Sequence, residues 1–166
     1  RTLARFPRWC CAAPRWIEPV LECTEADETL LELGSGTGEL SAHLAKARRR
    51  PTLFDFSQKS LSFARELFAA SRLEGAFVHG DVLERLPFDD GASDVCWSGG
   101  LLEHFTDAEI GHIVRESARV ARRLVIALVP NAQSLPYRLG KHIQEAEGRW
   151  TWGKEDPKAT LQQFFS

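Results

Sequence analysis

The stretch Leu30-Leu31-Glu32-Leu33-Gly34-Ser35-Gly36-Thr37-Gly38-Glu39-Leu40 decides the fold. A short apolar run leads to three glycines on alternate positions, and a helical pattern of apolar residues begins at Leu40. This order predicts a buried parallel strand that turns into a helix through a loop with few side chains. Because glycine lacks a Cβ, such a loop lets a ligand approach the backbone beside the unpaired N–H groups of a helix start.

The glycine spacing and the charge around it narrow the choice of ligand. A dinucleotide loop has the form G-x-G-x-x-G, whereas here the third glycine comes one position early and Glu39 stands in its place. A carboxylate at Glu39 would repel a pyrophosphate, and Glu32 and Glu39 together favour a ligand that carries positive charge. S-adenosylmethionine (SAM) carries a sulfonium and an ammonium group, so it fits this charge better than NAD. A tight turn without a ligand is the alternative.

Two further carboxylates follow the next two predicted strands. Asp55 ends the strand at 52–54 and lies 21 positions after Gly34. An acid at about that distance reaches the ribose hydroxyls in strand–helix–strand nucleotide sites, although Asp55 could equally cap the next helix. Asp81 follows the strand at 76–79 and could accept a hydrogen bond from an exocyclic amine, or could bond its own turn.

The second half of the chain predicts two more strands and a helix between them. Residues 94–98 read as strand four, and the apolar run 124–129, ended by Pro130, reads as strand five. A capping box at Thr106 and Glu109 begins the helix. Its sheet-facing stripe is predicted to be Ile110, Ile113, Val114, Ser117 and Val120. A solvated outer side is predicted for Arg115, Arg119, Arg122 and Arg123.

Four motifs in this order over residues 30–105 resemble those of the class I SAM-dependent methyltransferases. They are E-x-G-x-G-x-G from Glu32, Asp-Phe-Ser from Asp55, Gly-Asp from Gly80, and an L-P-F-x-D-G type stretch at 86–91. The resemblance implies an α/β fold with a doubly wound, mostly parallel, Rossmann-like sheet of strand order 3-2-1-4-5. It also implies methyl transfer from SAM to a small-molecule acceptor by in-line displacement. The family adds two terminal strands that we do not find, so we expect a C-terminally truncated domain.

The resemblance also implies roles for individual residues. His104, between strand four and the capped helix, is the candidate catalytic base, needed only where the acceptor must lose a proton. A loop histidine bonded to a nearby carbonyl is the alternative. Glu103, Trp150 and Trp152 are candidate substrate residues, although the two tryptophans could equally close the core. The candidate cofactor residues are Glu32, Gly34, Ser35, Gly36, Gly38, Asp55, Phe56, Asp81, Val82 and Ser98.

Length, charge and cysteine content indicate the domain organisation and exclude some kinds of partner. The 166 residues suit one domain, and we expect an N-terminal arm with one short helix at 1–28 before a SAM-binding domain at 29–166. A net charge of −2 argues against a nucleic-acid surface that works by charge. The four cysteines lack zinc spacing or a disulfide framework, and we expect no metal. No signal peptide is evident and no apolar run could span a bilayer, so we expect a cytoplasmic protein. The chain lacks methionine, so we expect an excerpt of a longer protein.

Two other functions stay open at this stage. The first is a non-catalytic domain of the same fold that binds a partner, which would also cover the sheet edge at strand five. The second is an NAD-dependent Rossmann oxidoreductase, disfavoured by Glu39 and by the lack of a recognisable hydride-transfer site.

Overall fold

The computed structural model describes residues 13–131, 133–150, 155 and 160–165. The strands in these residues are β1 Thr29–Leu33, β2 Arg50–Asp55, β3 Ala76–His79, β4 Ser93–Gly99 and β5 Ala121–Leu128. The α-helices are α1 Ala13–Glu22, α2 Glu39–Lys46, α3 Gln58–Ser71, α4 Asp107–Val120 and α5 Leu135–Ala146. Two short 3₁₀ turns cover Leu102–His104 and Gln162–Phe164. No helix in the described part of the chain is both long and apolar enough to cross a membrane.

The five strands form one parallel sheet in the order β3-β2-β1-β4-β5, which confirms the predicted order. The strand order reverses direction between β1 and β4. Leu33, at the end of β1, lies opposite Phe54 on one side and Ser98 on the other. In open sheets of this type ligands bind outside the carboxyl ends of the strands, at the point where the order reverses. The fold therefore places the glycine loop and the residues after β4 beside each other.

Alternate residues of the central strands pack on opposite faces of the sheet. Leu31 and Leu33 lie in a buried cluster with Ile110 and Ile113 of α4. Leu30 packs on the other face with α1 and α2, and Trp97 is the largest buried side chain of that cluster. A third cluster joins α2, β2 and α3 through Ala42, Leu53, Leu61, Ala64 and Phe68. Helices thus cover both faces, as a doubly wound sheet requires.

A local signal predicted the start of α4. The Thr106 hydroxyl accepts from the Glu109 N–H, and the Glu109 carboxylate accepts from the Thr106 N–H, so the predicted capping box begins α4. All five residues of the predicted stripe on α4 are buried. Helix α3 is capped by Ser57, whose hydroxyl accepts from the Ser60 N–H, so Asp55 does not cap it.

The predicted solvated arginine face is wrong for Arg119, whereas Arg122 and Arg123 are exposed as predicted but lie on β5 and not on the helix. Arg115 is exposed on α4. Arg119 is only 18% exposed and donates to the carbonyls of Leu86 and Phe88. Arg122 and Arg123 lie on β5, which follows α4 without a loop, and they pair with Asp94 and Glu28. The prediction failed because a helical wheel cannot show where the helix ends or which loop lies against it.

Candidate active site

The three loop glycines share a left-handed backbone but have different surroundings. Gly34, Gly36 and Gly38 have φ of 69°, 53° and 76°, a region that only glycine adopts readily. A Cβ on Gly38 would lie 2.7 Å from a methyl of Leu53, and one on Gly34 would lie 2.7 Å from a methyl of Leu101. A Cβ on Gly36 would meet nothing within 4 Å. Gly38 is thus required by packing, whereas Gly36 borders open space.

Four of the loop amides donate hydrogen bonds within the fold and are not free for an anion. The N–H groups of Gly34 and Ser35 donate to the Phe54 carbonyl at 2.9 and 3.1 Å. The Gly38 N–H donates to the Ser35 carbonyl, and the Gly36 N–H donates to Asp55 Oδ2 at 2.7 Å. A pyrophosphate site needs amides that point at the ligand. These four do not, which argues against a dinucleotide.

Asp55 joins the glycine loop to the start of α3. Besides the Gly36 N–H, it accepts from the Ser57 N–H through Oδ1 at 2.7 Å, and it is only 5% exposed. An ionised carboxylate has about four acceptor positions, so two backbone bonds leave capacity for ligand hydroxyls. Asp55 therefore fixes the loop and could also take a ligand.

Glu32 is a buried carboxyl beneath the loop. It is 2% exposed and accepts from the Ser41 hydroxyl of α2. Burial, with a smaller contribution from the negative charge of Asp55, raises the pKa of Glu32 from 4.5 to about 8. A cation beside it would favour the ionised form and lower this pKa.

Two buried polar atoms near the glycine loop have no hydrogen-bond partner. They are Ser35 Oγ in the loop and Glu103 Oε2 in the turn after β4, whose residues are 8% and 2% exposed. Burial of such groups is costly unless a partner satisfies them. Ser98, at the end of β4, is also buried. The arrangement fits a ligand that brings hydrogen-bonding groups to this edge of the sheet.

The residues after β2 and β3 form a more open part of the site. Phe56 is 75% exposed, and its carbonyl lies 2.9 Å from His79 Nε2. Asp81 is exposed and accepts from the Leu83 N–H at 2.9 Å, so the alternative of a turn bond is present. Val82 is buried. At Gly80 the ring of Phe54 comes close to the backbone, since a Cβ there would lie 2.6 Å from that ring.

A cluster that the sequence did not predict joins α5 to the turn after β4. We call Glu103, His104, Tyr137, Lys141 and Glu155 the α5 cluster. The Tyr137 hydroxyl donates to Glu155 Oε2, and Lys141 Nζ lies 3.0 Å from the same oxygen. Possible ligand atoms of Glu103, His104 and Glu155 all lie within 4.8 Å of one another. The i, i+4 spacing of Tyr137 and Lys141 was the only available sequence signal, and Glu155 had none.

The α5 cluster combines a histidine with two carboxylates, a set that a divalent cation can accept. Lys141 instead supplies positive charge directly at Glu155, so that carboxylate does not need a metal for charge balance. Lys141 Nζ also lies 4.9 Å from the centre of the Trp150 ring, so Trp150 stands beside the cluster. His104 is exposed. Trp152 lies outside the described residues.

Comparison with known proteins gives three findings. A family model described as a methyltransferase domain matches residues 30–123. Malonyl-[acyl-carrier protein] O-methyltransferase of Pectobacterium atrosepticum is 39% identical over 69 residues, 42% of this chain and 25% of that one. Demethylmenaquinone methyltransferase of Clavibacter sepedonicus is 39% identical over 87 residues, 52% of this chain and 32% of that one. The chain thus spans about a quarter to a third of the length of these relatives.

A solved structure from Methanococcus maripaludis, assigned as an S-adenosyl-L-methionine-dependent methyltransferase, superposes with a TM-score of 0.65. It is 23% identical, and the match covers 83% of this chain and 65% of that one. At this identity the likeness shows the fold alone.

Proposed function

The chain belongs to the methyltransferase-domain family, and from this premise we propose that it binds SAM and methylates a small-molecule acceptor. Family and fold together indicate SAM as the cofactor. The single observation that carries the proposal is the glycine loop, with four of its amides already bonded and with buried Glu32 on the strand that leads into it. Such a loop suits a cationic ligand better than a pyrophosphate.

The proposed cofactor contacts follow the carboxyl ends of four strands. Asp55 would accept from the ribose hydroxyls, and Asp81 from the adenine amine, while Phe56 and Val82 would flank the ring. Gly34 and Gly38 would shape the loop, and Gly36, where nothing lies within 4 Å of an added Cβ, would leave room for the amino-acid end of the ligand beside Ser35 Oγ, which lacks a partner. Glu32 would favour the ammonium group. Ser98, near the end of β4, would be the last of these cofactor contacts.

The chain's own residues would act mainly by positioning the acceptor. When bound, SAM supplies a methyl group on a sulfonium, ready for displacement. Holding two reactants in line in one pocket supplies a large part of the rate of such a transfer. The turn Leu102–His104 is held close to the glycine loop, because Leu101 lies directly against Gly34. From this turn His104 would take a proton from an acceptor hydroxyl, with Glu103 beside it.

The proposal is tested by calorimetric titration with SAM, S-adenosylhomocysteine and NAD, followed by incubation with methyl-labelled SAM and a small-molecule extract. We expect both sulfur nucleosides to bind, NAD not to bind, and label to pass to a small molecule. His104→Gln should keep SAM binding but lower turnover and remove the acid limb of the pH profile. Binding of NAD in place of SAM would refute the proposal. Binding of SAM without any turnover would favour a non-catalytic domain.

A further inference from the structure

The charge of the α5 cluster constrains what can bind beside it. Glu155 is satisfied, because its carboxylate accepts from the Tyr137 hydroxyl and pairs with Lys141 at 3.0 Å, and its side chain is 5% exposed. Lys141 therefore balances one carboxylate only. Among the described residues of the cluster no second lysine or arginine is left to balance Glu103.

Glu103 is the member of the α5 cluster whose hydrogen bonding is incomplete. It is 2% exposed, and its Oε2 has no hydrogen-bond partner, while its Oε1 lies near Gly100, where an added Cβ would be 3.5 Å away. Burial raises the pKa of Glu103 and the charge of Glu155 raises it further, while a backbone hydrogen bond and the charges of His104 and Lys141 act in the opposite direction without cancelling the rise. A buried carboxylate oxygen without a donor is costly, and a donor brought by a ligand would remove that cost.

We propose that Glu103 binds an amine or hydroxyl donor of the methyl acceptor, and that the Tyr137–Glu155–Lys141 group makes the site reject a carboxylate. This rests on the proposed function. An anionic acceptor would face Glu103 and Glu155 with Lys141 already engaged, so charge disfavours it. A donor, above all a protonated amine, would satisfy Glu103 Oε2 and stabilise its ionised form. Tyr137, Lys141 and Glu155 are positioning residues here, since they act through the charge around Glu103.

The test uses three probes that share one ring and differ in the polar group: benzylamine, benzyl alcohol and benzoate. Each is titrated against the protein saturated with S-adenosylhomocysteine, and binding is followed by saturation-transfer NMR and calorimetry. We expect benzylamine to bind about tenfold or more tighter than benzoate, with benzyl alcohol between them. Glu103→Gln should reduce this preference about tenfold, to near-equal binding of the two probes, because one charged hydrogen bond is lost.

Matched variants distinguish an effect of the α5 cluster from an effect of the overall charge of the protein. Glu66→Gln, on the exposed side of α3, removes the same charge away from the cluster and should keep the preference. Lys141→Met should strengthen the preference for benzylamine, since it leaves two carboxylates unbalanced. Circular dichroism and thermal unfolding check that each variant folds.

Four outcomes of the probe titrations would overturn the proposal. They are benzoate binding as tightly as benzylamine, no saturable benzylamine binding, a preference that Glu103→Gln leaves intact, and an equal loss in Glu66→Gln. If Glu103→Gln instead weakens only S-adenosylhomocysteine binding, Glu103 serves the cofactor and the proposal is wrong. The probes can also be titrated against the free protein. A protein that fails to bind S-adenosylhomocysteine but keeps the amine preference contradicts the proposed function, not this inference.

Discussion

Gly36 and Gly38 show how one residue type serves two purposes within three positions. Both have a positive φ, but only Gly38 is closely packed. A Cβ added to Gly38 would lie within 3 Å of side-chain atoms of Leu53 and Ala64. Gly36 faces open space at the carboxyl edge of the sheet. One glycine therefore maintains the packing of α2 on the sheet, and the other maintains room for a ligand.

This difference predicts opposite results for two alanine variants. Gly38→Ala should lower the free energy of unfolding by about 2–5 kcal/mol, because backbone strain and overpacking add. Gly36→Ala should cost roughly 1–2 kcal/mol from the backbone alone, yet weaken SAM binding about tenfold or more. Urea unfolding and calorimetric titration measure the two quantities. Equal stability of the two variants, or normal SAM affinity in Gly36→Ala, would contradict this account.

Among the elements, α4 has a role beyond covering one face of the sheet. Arg119 donates to the Phe88 and Leu86 carbonyls at 2.8 and 3.1 Å, and Glu116 accepts from the Leu86 N–H at 2.9 Å. The Arg119–Glu116 pair, at 2.7 Å, holds the two side chains together. Through these bonds α4 fixes the loop before β4, and Phe88 packs edge-on against Phe54, with ring centres 5.9 Å apart.

Glu116→Gln should weaken this attachment. Its bond with Arg119 holds the pKa of Glu116 at about 2, below the usual 4.5. A lowered pKa stabilises the fold above pH 4.5, and that stabilisation is lost as the pH falls towards 2. We expect the variant to lose about 1.5–3 kcal/mol at pH 7 and to converge with the wild type near pH 2 to 3. Urea unfolding across pH measures this, and Glu66→Gln is the control. A constant difference at all pH values would show that the ion pair is not the cause.

The elements show what the sequence can and cannot predict. Strand β1 and the start of α4 were predictable because each rests on signals within a few residues, the run 30–33 and the pair Thr106 and Glu109. The strand order followed only from the resemblance to a known family. Arg119 was misjudged because its partners lie about 30 residues away. The α5 cluster was missed for the same reason: contact between Glu103 and Glu155 depends on where α5 lies, and no local pattern encodes that.

At the scale of the whole molecule, acidic residues are concentrated at the carboxyl edge of the sheet, although the net charge is small. The chain carries only −2. Yet Glu32, Asp55, Glu103 and Glu155 all lie along the carboxyl edge of the sheet or beside it, and each is largely buried. Without a bound cation this edge is electrostatically unfavourable, so the stability of the fold depends on the protonation of its acids.

Glu32 should therefore set a pH dependence of stability in the ligand-free protein. Its pKa of about 8 is above the value of 4.5 expected for an unfolded chain. A carboxyl with a raised pKa stabilises the fold fully below pH 4.5, and this contribution is lost as the pH rises through 8. Glu32→Gln mimics the protonated form. The free energy of unfolding of the wild type should fall relative to this variant by at most about 1.4 kcal/mol per pH unit between pH 5 and 8. Urea unfolding of both proteins at several pH values measures the difference.

Addition of S-adenosylhomocysteine should reduce this fall in the free energy of unfolding, because an ammonium group beside Glu32 lowers the pKa of Glu32 and binding then releases a proton. Parallel pH profiles for the two ligand-free proteins would contradict the raised pKa of Glu32, because a carboxyl with the same pKa in the folded and the unfolded chain adds no pH dependence to stability.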